Sequence, residues 1–407
     1  MSAAEIRESS PEDASKPPVL GDLVVCSLEP WDEVWRRNQF FVDALLRRSA
    51  TLRVLFVEPP ADVLYELAQR RRPTLPRIRS LREDGRLHAL RPLKPLPRRF
   101  GSLADRVLQR RVIGAARRLG FARPILWLND ITYAPLIQRT GWPTVYDVTD
   151  DWLLAPFSPR VVGRLRRLDA LALAHADEVV VCSPVLAASR GATRRVTVVA
   201  NGVDSEHFRR PRPRPDDLPA APAAVYLGTL HDSRLDVELV IQLARALPEL
   251  SVVLVGPDAL PVATRRRLAV EPNIHTLGPR PYSDVPAYLQ HADVVIMPHR
   301  VTPFTDSLDP IKAYECLAVS TPTVATPVAG FRELSGYLTV VAPEAFVEAV
   351  RVTLRTAARR PDLAGPVASW EQRASAFGLT LARAAKTASR SSEATISTPT
   401  YPLEPNQ

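Results

Sequence analysis

A chain of 407 residues, 46% hydrophobic and 24% charged, exceeds one ordinary domain and has the balance of a globular enzyme. That composition excludes a fibrous, collagen-like or largely disordered protein. The formal charge of +9 is carried almost wholly by arginine, since lysine occurs only at 16, 94, 312 and 386.

The polar opening, residues 1–21, contains no apolar signal-peptide core and predicts a disordered tail. No later stretch approaches the roughly 18 uninterrupted apolar residues of a spanning helix. The expectation is therefore a cytoplasmic protein whose membrane contact is at most peripheral. Cys26, Cys182 and Cys316 are widely spaced within apolar segments, so they read as buried small hydrophobes and not as a disulfide framework or metal site.

Apolar runs at 23–28, 52–60, 124–129, 144–150, 178–183 and 196–202 predict strands, with an amphipathic helix over 34–48. Strands apolar throughout and separated by helices predict a parallel sheet covered on both faces, here a domain over 22–208. Arginines cluster at 70–72 and through 91–118. That run reads equally as a solvated helix face and as a patch facing anionic lipid. Nucleic acid is disfavoured, because aromatics total only 6% of the chain and the run holds one, Phe100.

Residues 209–222, RRPRPRPDDLPAAP, can hold neither a helix nor a central strand and predict a linker. The strand–helix alternation then restarts, predicting a second doubly wound domain over 223–366, and 367–387 predicts a long terminal helix. Residues 388–407 predict a second disordered tail. The fold class is α/β, with two Rossmann-like domains facing across a cleft. Ligands of such sheets bind at the carboxyl ends of the strands.

The segment DSLDPIKAYECLAVSTPTVAT, 306–326, carries the most chemistry. Asp309 followed by Pro310 predicts a helix start, a capping carboxylate and then proline at the first helical position. The free N–H groups of that turn make an anion site, with Lys312 beside it and Glu315 three residues on. A phosphate, a cation and a carboxylate for a ribose diol would form a nucleotide-diphosphate site. An ordinary exposed Lys312–Glu315 pair is the plainer reading of the spacing alone.

The order YLGTLHDSRLD, VVLVGP, NIHTLGPRPYSDVPAYLQHADVVIMPH and DPIKAYECLAVSTPTVAT resembles the nucleotide-binding domain of retaining GT-B glycosyltransferases. The likeness narrows to the bacterial teichuronic-acid-type branch through Pro310, Lys312, Tyr314, Glu315, Leu317 and Ala318. EPWDEVWRRNQFF, VLFVEPP and YDVTDDW in the first half agree with it.

The resemblance implies transfer of a sugar from a nucleoside-diphosphate sugar to a glycan or glycolipid acceptor, with retention, without metal and with no other cofactor. It places Glu315 on the ribose hydroxyls. The first acid of the family's pair falls at Ser307, a departure, so Thr305, Asp306 and Ser307 are expected to face the sugar and Asp309 to lie at the phosphate site. Gly228 is expected to let the backbone approach the diphosphate, Arg234 and Lys312 to clamp it, and Gly278, Pro279 and Arg280 to read the base. From the first domain, Asp151 is expected to hold the acceptor hydroxyl in preference to Asp147. Trp31 and Asp32 offer a stacking surface and an acceptor atom, and Arg36 and Arg37 read as a helix start or as phosphate contacts. Two rivals remain, a nucleotide-sugar epimerase of the same fold and a non-catalytic GT-B scaffold.

Overall fold

The computed structural model describes residues 7–8, 20–62, 77–94, 101–219, 222–356 and 368–396. The arginines at 70–72, residues 95–100 of the basic run and residues 397–407 of the second tail lie outside the described residues.

The first domain is built on a nine-stranded sheet. From edge to edge its strands are Arg7–Glu8, Thr197–Val198, Glu178–Val181, Thr144–Val148, Ile125–Leu128, Asp22–Cys26, Arg53–Val57, Leu87–Leu90 and Ile78–Ser80. All pairings are parallel except the last. The period of two sorts each central strand. Val24 and Cys26 enter one buried layer with Leu126 and Leu128, while Leu23 and Val25 enter the opposite layer with Phe41 and Phe377.

Helix Arg37–Arg48 begins three residues later than the periodicity predicts. The Gln39 side chain reaches back to accept from the Arg36 N–H at 3.1 Å, which fixes the helix start there. The terminal helix Trp370–Ile396 returns to this domain, stacking Trp370 on Phe40 (centroids 4.4 Å apart) and tilting Phe377 onto Trp127 at 4.5 Å. Such buried aromatic pairs contribute about 0.5–1.5 kcal/mol beyond their area. The helix continues past 388, where the sequence reading ends it, and Arg7–Glu8 forms an edge strand inside the expected tail.

The second domain holds a six-stranded parallel sheet in the order Ile274–Gly278, Ser251–Val255, Ala223–Leu227, Val294–Met297, Thr323–Ala325, Thr339–Val340. Val199 still belongs to the first core, whereas Val203 and Phe208 are buried in the second. The chain therefore crosses at 199–203, earlier than the expected boundary at 208. The returning crossing runs alongside, with the Val203 N–H donating to Ala368 O at 3.2 Å. A Cβ on Gly202 would lie 2.9 Å from the Trp370 nitrogen, so only glycine lets the two crossings touch. Residues 210–219 lie on the second domain instead of bridging the two. The Arg212 N–H donates to Gln290, and Asp217 accepts from Tyr288 Oη at 2.7 Å.

Candidate functional site

A cavity of about 410 Å³ lies between the two sheets. Its walls are the loops after strands Asp22–Cys26, Ile125–Leu128 and Thr144–Val148 on one side, and after Ala223–Leu227, Ser251–Val255 and Val294–Met297 on the other. Both walls are thus carboxyl ends of parallel strands, where doubly wound sheets present their ligand-binding loops.

Two glycines open the second-domain wall. A Cβ on Gly256 would sit 2.0 Å from Gly228 O, and one on Gly228 would sit 2.9 Å from Tyr226 Oη. Only bare backbone fits there, with both glycine N–H groups taken up inside the sheet by Val255 O and Gly278 O. Helix Ile311–Val319 points its N-terminus into the same space, with Pro310, Ile311 and Lys312 on the wall. Its free N–H groups and dipole favour an anion at that end.

Asp309 does not cap that helix, contrary to the sequence reading. Its carboxylate reaches the interdomain crossing at 199–203, accepting from the Asn201 N–H at 2.6 Å and from Tyr314 Oη at 2.5 Å, while its carbonyl accepts from Asn201 Nδ2 at 2.8 Å. A capping carboxylate would have to turn away from these donors.

Three cations of the second domain meet the cavity. Arg234 and Lys312 both line the cavity, and so does Arg280. Each already has a carboxylate. Lys312 Nζ donates to Glu315 Oε2 at 2.7 Å, Arg280 pairs with Asp217, and Arg234 Nη2 donates to Asp150 Oδ1 at 3.2 Å across the cleft. Glu315 lies beneath Lys312, its side chain 3% exposed. Burial pushes its carboxyl up, and Lys312 opposes that shift. Gly278 takes φ +76° and supplies the carbonyl that accepts from Gly256 N–H, one layer behind the wall.

Several expected site residues face elsewhere, among them Thr305, fully buried with its hydroxyl donating to Arg300 O. Asp151 is gripped by Arg190 through two 2.9 Å hydrogen bonds, both side chains 8% exposed, so it cannot offer its carboxylate to an acceptor. Ser307 is fully buried at the domain boundary. Its Oγ accepts from Asp151 N–H at 3.1 Å and donates to Phe304 O, while its carbonyl accepts from Ser183 Oγ at 2.9 Å. Asp306 turns outward to Arg332 and accepts from the Ala329 N–H at 2.7 Å. The 3-10 turn Thr305–Ser307 imposes this, pointing successive side chains to different sides. Arg37 is neither a solvated helix start nor a free phosphate contact, being paired to Asp147 at 3.1 Å in the interior. Trp31 is packed edge-on against Phe56, and the aromatic rings on the cavity wall are Trp35, Trp152 and Tyr226.

The sequence reading puts the loops of Glu29 and Asp150 at the cleft without giving either residue a role, and it misses His299. Asp150, beside Asp151, faces the cavity. Glu29 keeps 39% of its side chain open to the cleft, yet desolvation there, reinforced by Asp150 and Asp32 and opposed by Arg36 and Arg234, pushes its carboxyl up to about 7. His299 sits between Tyr226 and Phe331, and burial together with Arg234 lowers its imidazole to about 4, so the ring stays neutral. Among the described residues, no cluster of His, Cys, Asp and Glu could hold a metal ion, and no helix is long and apolar enough to cross a membrane.

Residues 221–356 match the family model described as Glycosyl transferases group 1. A Bacillus subtilis (strain 168) protein named as a teichuronic acid biosynthesis glycosyltransferase, TuaH, is 28% identical over 222 residues, 50% of this chain. The matched stretch spans about half of that relative's length, 55%. Among solved structures, sucrose-phosphate synthase from Thermosynechococcus elongatus superposes with a TM-score of 0.63 at 16% identity, covering 93% of this chain and 100% of that one. Anabaena HepE in complex with UDP and glucose superposes with a TM-score of 0.57 at 18% identity, with the same coverages. These likenesses establish the two-domain GT-B architecture.

Proposed function

We propose that this GT-B protein, whose second domain matches the group 1 glycosyl transferases, moves a sugar from a nucleoside-diphosphate sugar to a cell-surface glycan or lipid-linked acceptor. One observation carries the reading. A helix N-terminus, a bare-glycine wall and the cations Lys312 and Arg234 converge on one cleft between two Rossmann-like domains. Diphosphate departure builds negative charge, and preorganised N–H groups and cations are what stabilise it, each donor contributing about 3–4 kcal/mol. With two cations at that place the reading needs no metal. Retention follows the family likeness, with the departing phosphate taking the acceptor's proton on the same face and no protein nucleophile. HepE was solved in complex with UDP and glucose, which supports a nucleotide sugar here. TuaH's name supports a cell-envelope acceptor.

On the acceptor side, the reading assigns Glu29 and Asp150 as the carboxylates nearest the incoming hydroxyl, in place of Asp151. Helix Gly101–Arg118 supports a peripheral contact with anionic membrane at the inner face of the cell membrane. Leu103, Arg106, Arg110 and Arg117 are exposed on it, at spacings that put them in one stripe. The test is incorporation of labelled sugar from nucleotide sugars into a membrane lipid extract. Product in the wild type but not in Lys312→Ala supports the transferase, and isomerised free donor without any acceptor contradicts it.

A further inference from the structure

Three cations of the second domain, Lys312, Arg280 and Arg234, line the cleft, and each is neutralised by a protein carboxylate. The partners of Lys312 and Arg280, Glu315 and Asp217, belong to the same domain as the cation they hold. Losing either contact passes nothing across the cleft. Arg234 differs, because Asp150 belongs to the opposite domain.

Asp150 stands at the carboxyl end of strand Thr144–Val148 and has little else to hold it. Thr149 Oγ1 approaches its other oxygen at 3.4 Å. Glu29 shares the wall and repels it. Arg234 also lies over the Phe304 ring at 5.5 Å, which steadies the guanidinium where Asp150 meets it.

We propose that Asp150 occupies Arg234 in place of the donor diphosphate, and that donor binding displaces it and releases its carboxylate toward the acceptor. This rests on the reading of the cleft as a nucleotide-sugar site. The contact is an internal competitor. A diphosphate, with more charge and more oxygens, replaces it at Arg234, and Asp150 then faces the cavity beside Glu29 with its oxygens free. The freed Asp150 carboxylate can then accept from an acceptor hydroxyl, with the carboxyl of Glu29 beside it. The acceptor is therefore received after the donor. By linkage, whatever holds Asp150 away from Arg234 strengthens diphosphate binding by the same factor.

The experiment is calorimetric titration of UDP, GDP, ADP and dTDP into the wild type, Asp150→Asn, Arg234→Gln and the double variant. Thermal unfolding of each variant checks the fold, and Asp150→Ser stands in should the asparagine variant unfold. The diphosphate that binds the wild type is expected to bind Asp150→Asn about two- to fivefold tighter, the range a half-exposed ion pair commands. Arg234→Gln is expected to bind at least about tenfold more weakly, and the double variant no more tightly than Arg234→Gln alone. Unchanged or weaker binding by Asp150→Asn overturns the proposal, as does tightening that persists without Arg234. Those results leave the donor site standing. Silence of all four diphosphates with both the wild type and Asp150→Asn overturns the donor site and the proposal together.

Discussion

The backbone N–H of Asp151, in the first domain, donates to Ser307 Oγ of the second at 3.1 Å, and both residues are buried. Position 307, where the family likeness places an acid facing the sugar, is here a bolt between domains. Ser307→Ala is expected to cost about 1–3 kcal/mol of stability in urea denaturation, because the Asp151 N–H is left without its partner. Ser307→Glu is expected to cost more, by burying an uncompensated carboxylate, and to gain no nucleotide affinity. A gain of affinity on introducing the acid would show that this side chain does reach the donor.

Arg190 carries Asp151 and also approaches Asp169 at 3.4 Å, the latter accepting from Tyr146 Oη at 2.7 Å. Removing Asp151 leaves the buried Arg190 guanidinium with Asp169 alone. Asp151→Ala is expected to cost about 3–5 kcal/mol. Arg190→Met combined with Asp151→Ala is expected to cost less than the two single changes summed. Strict additivity in denaturation would contradict the pairing.

Glu29 links the cleft to pH. Its folded-state carboxyl titrates near 7, against 4.5 as the ordinary value, so the folded protein keeps a proton that the unfolded chain has lost. Stability attributable to this group is therefore present below about pH 4.5 and declines as pH rises toward 7. The thermal midpoint of Glu29→Gln, relative to wild type, is expected to rise between pH 5 and pH 8. The rise should be small, since the side chain is partly open to water. A difference independent of pH would show that Glu29 titrates normally.

The legible parts of the molecule were those with a local cause. Continuous apolar runs predicted the strands around Asp22–Cys26 and Ala223–Leu227. Lys312, three positions after Asp309, stood out in a chain with only three other lysines. What stayed hidden depends on partners distant in the chain. Asp150 and Asp151 are adjacent and chemically alike, and only Arg190, 39 positions away from Asp151, decides which of them is withdrawn from the cleft. Phe208 reads as the end of the first domain until the core that buries it is assembled from 223 onward. The inward turn of Asp309 depends on Asn201, 108 positions earlier, to supply the competing donors.

The stripe on helix Gly101–Arg118 predicts that Arg106, Arg110 and Arg117, changed together to Glu, lower binding to vesicles of anionic phospholipid. Each basic residue near such a surface contributes about 1 kcal/mol at low salt. Nucleotide binding should be unaffected, since none of the three lines the cleft. Unchanged partitioning in sedimentation would remove this helix from any membrane role.

The central claim is that the interdomain cleft binds a nucleoside-diphosphate sugar through Lys312 and the end of its helix. Thermal unfolding of the wild type and Lys312→Ala across a panel of nucleotide sugars tests it most directly. At a hundred times the dissociation constant, one donor should stabilise the wild type by about 2.7 kcal/mol. Lys312→Ala should bind that donor about ten- to a hundredfold more weakly and show little of the effect. Equal stabilisation of both proteins, or of neither by any member of a broad panel, would contradict the account.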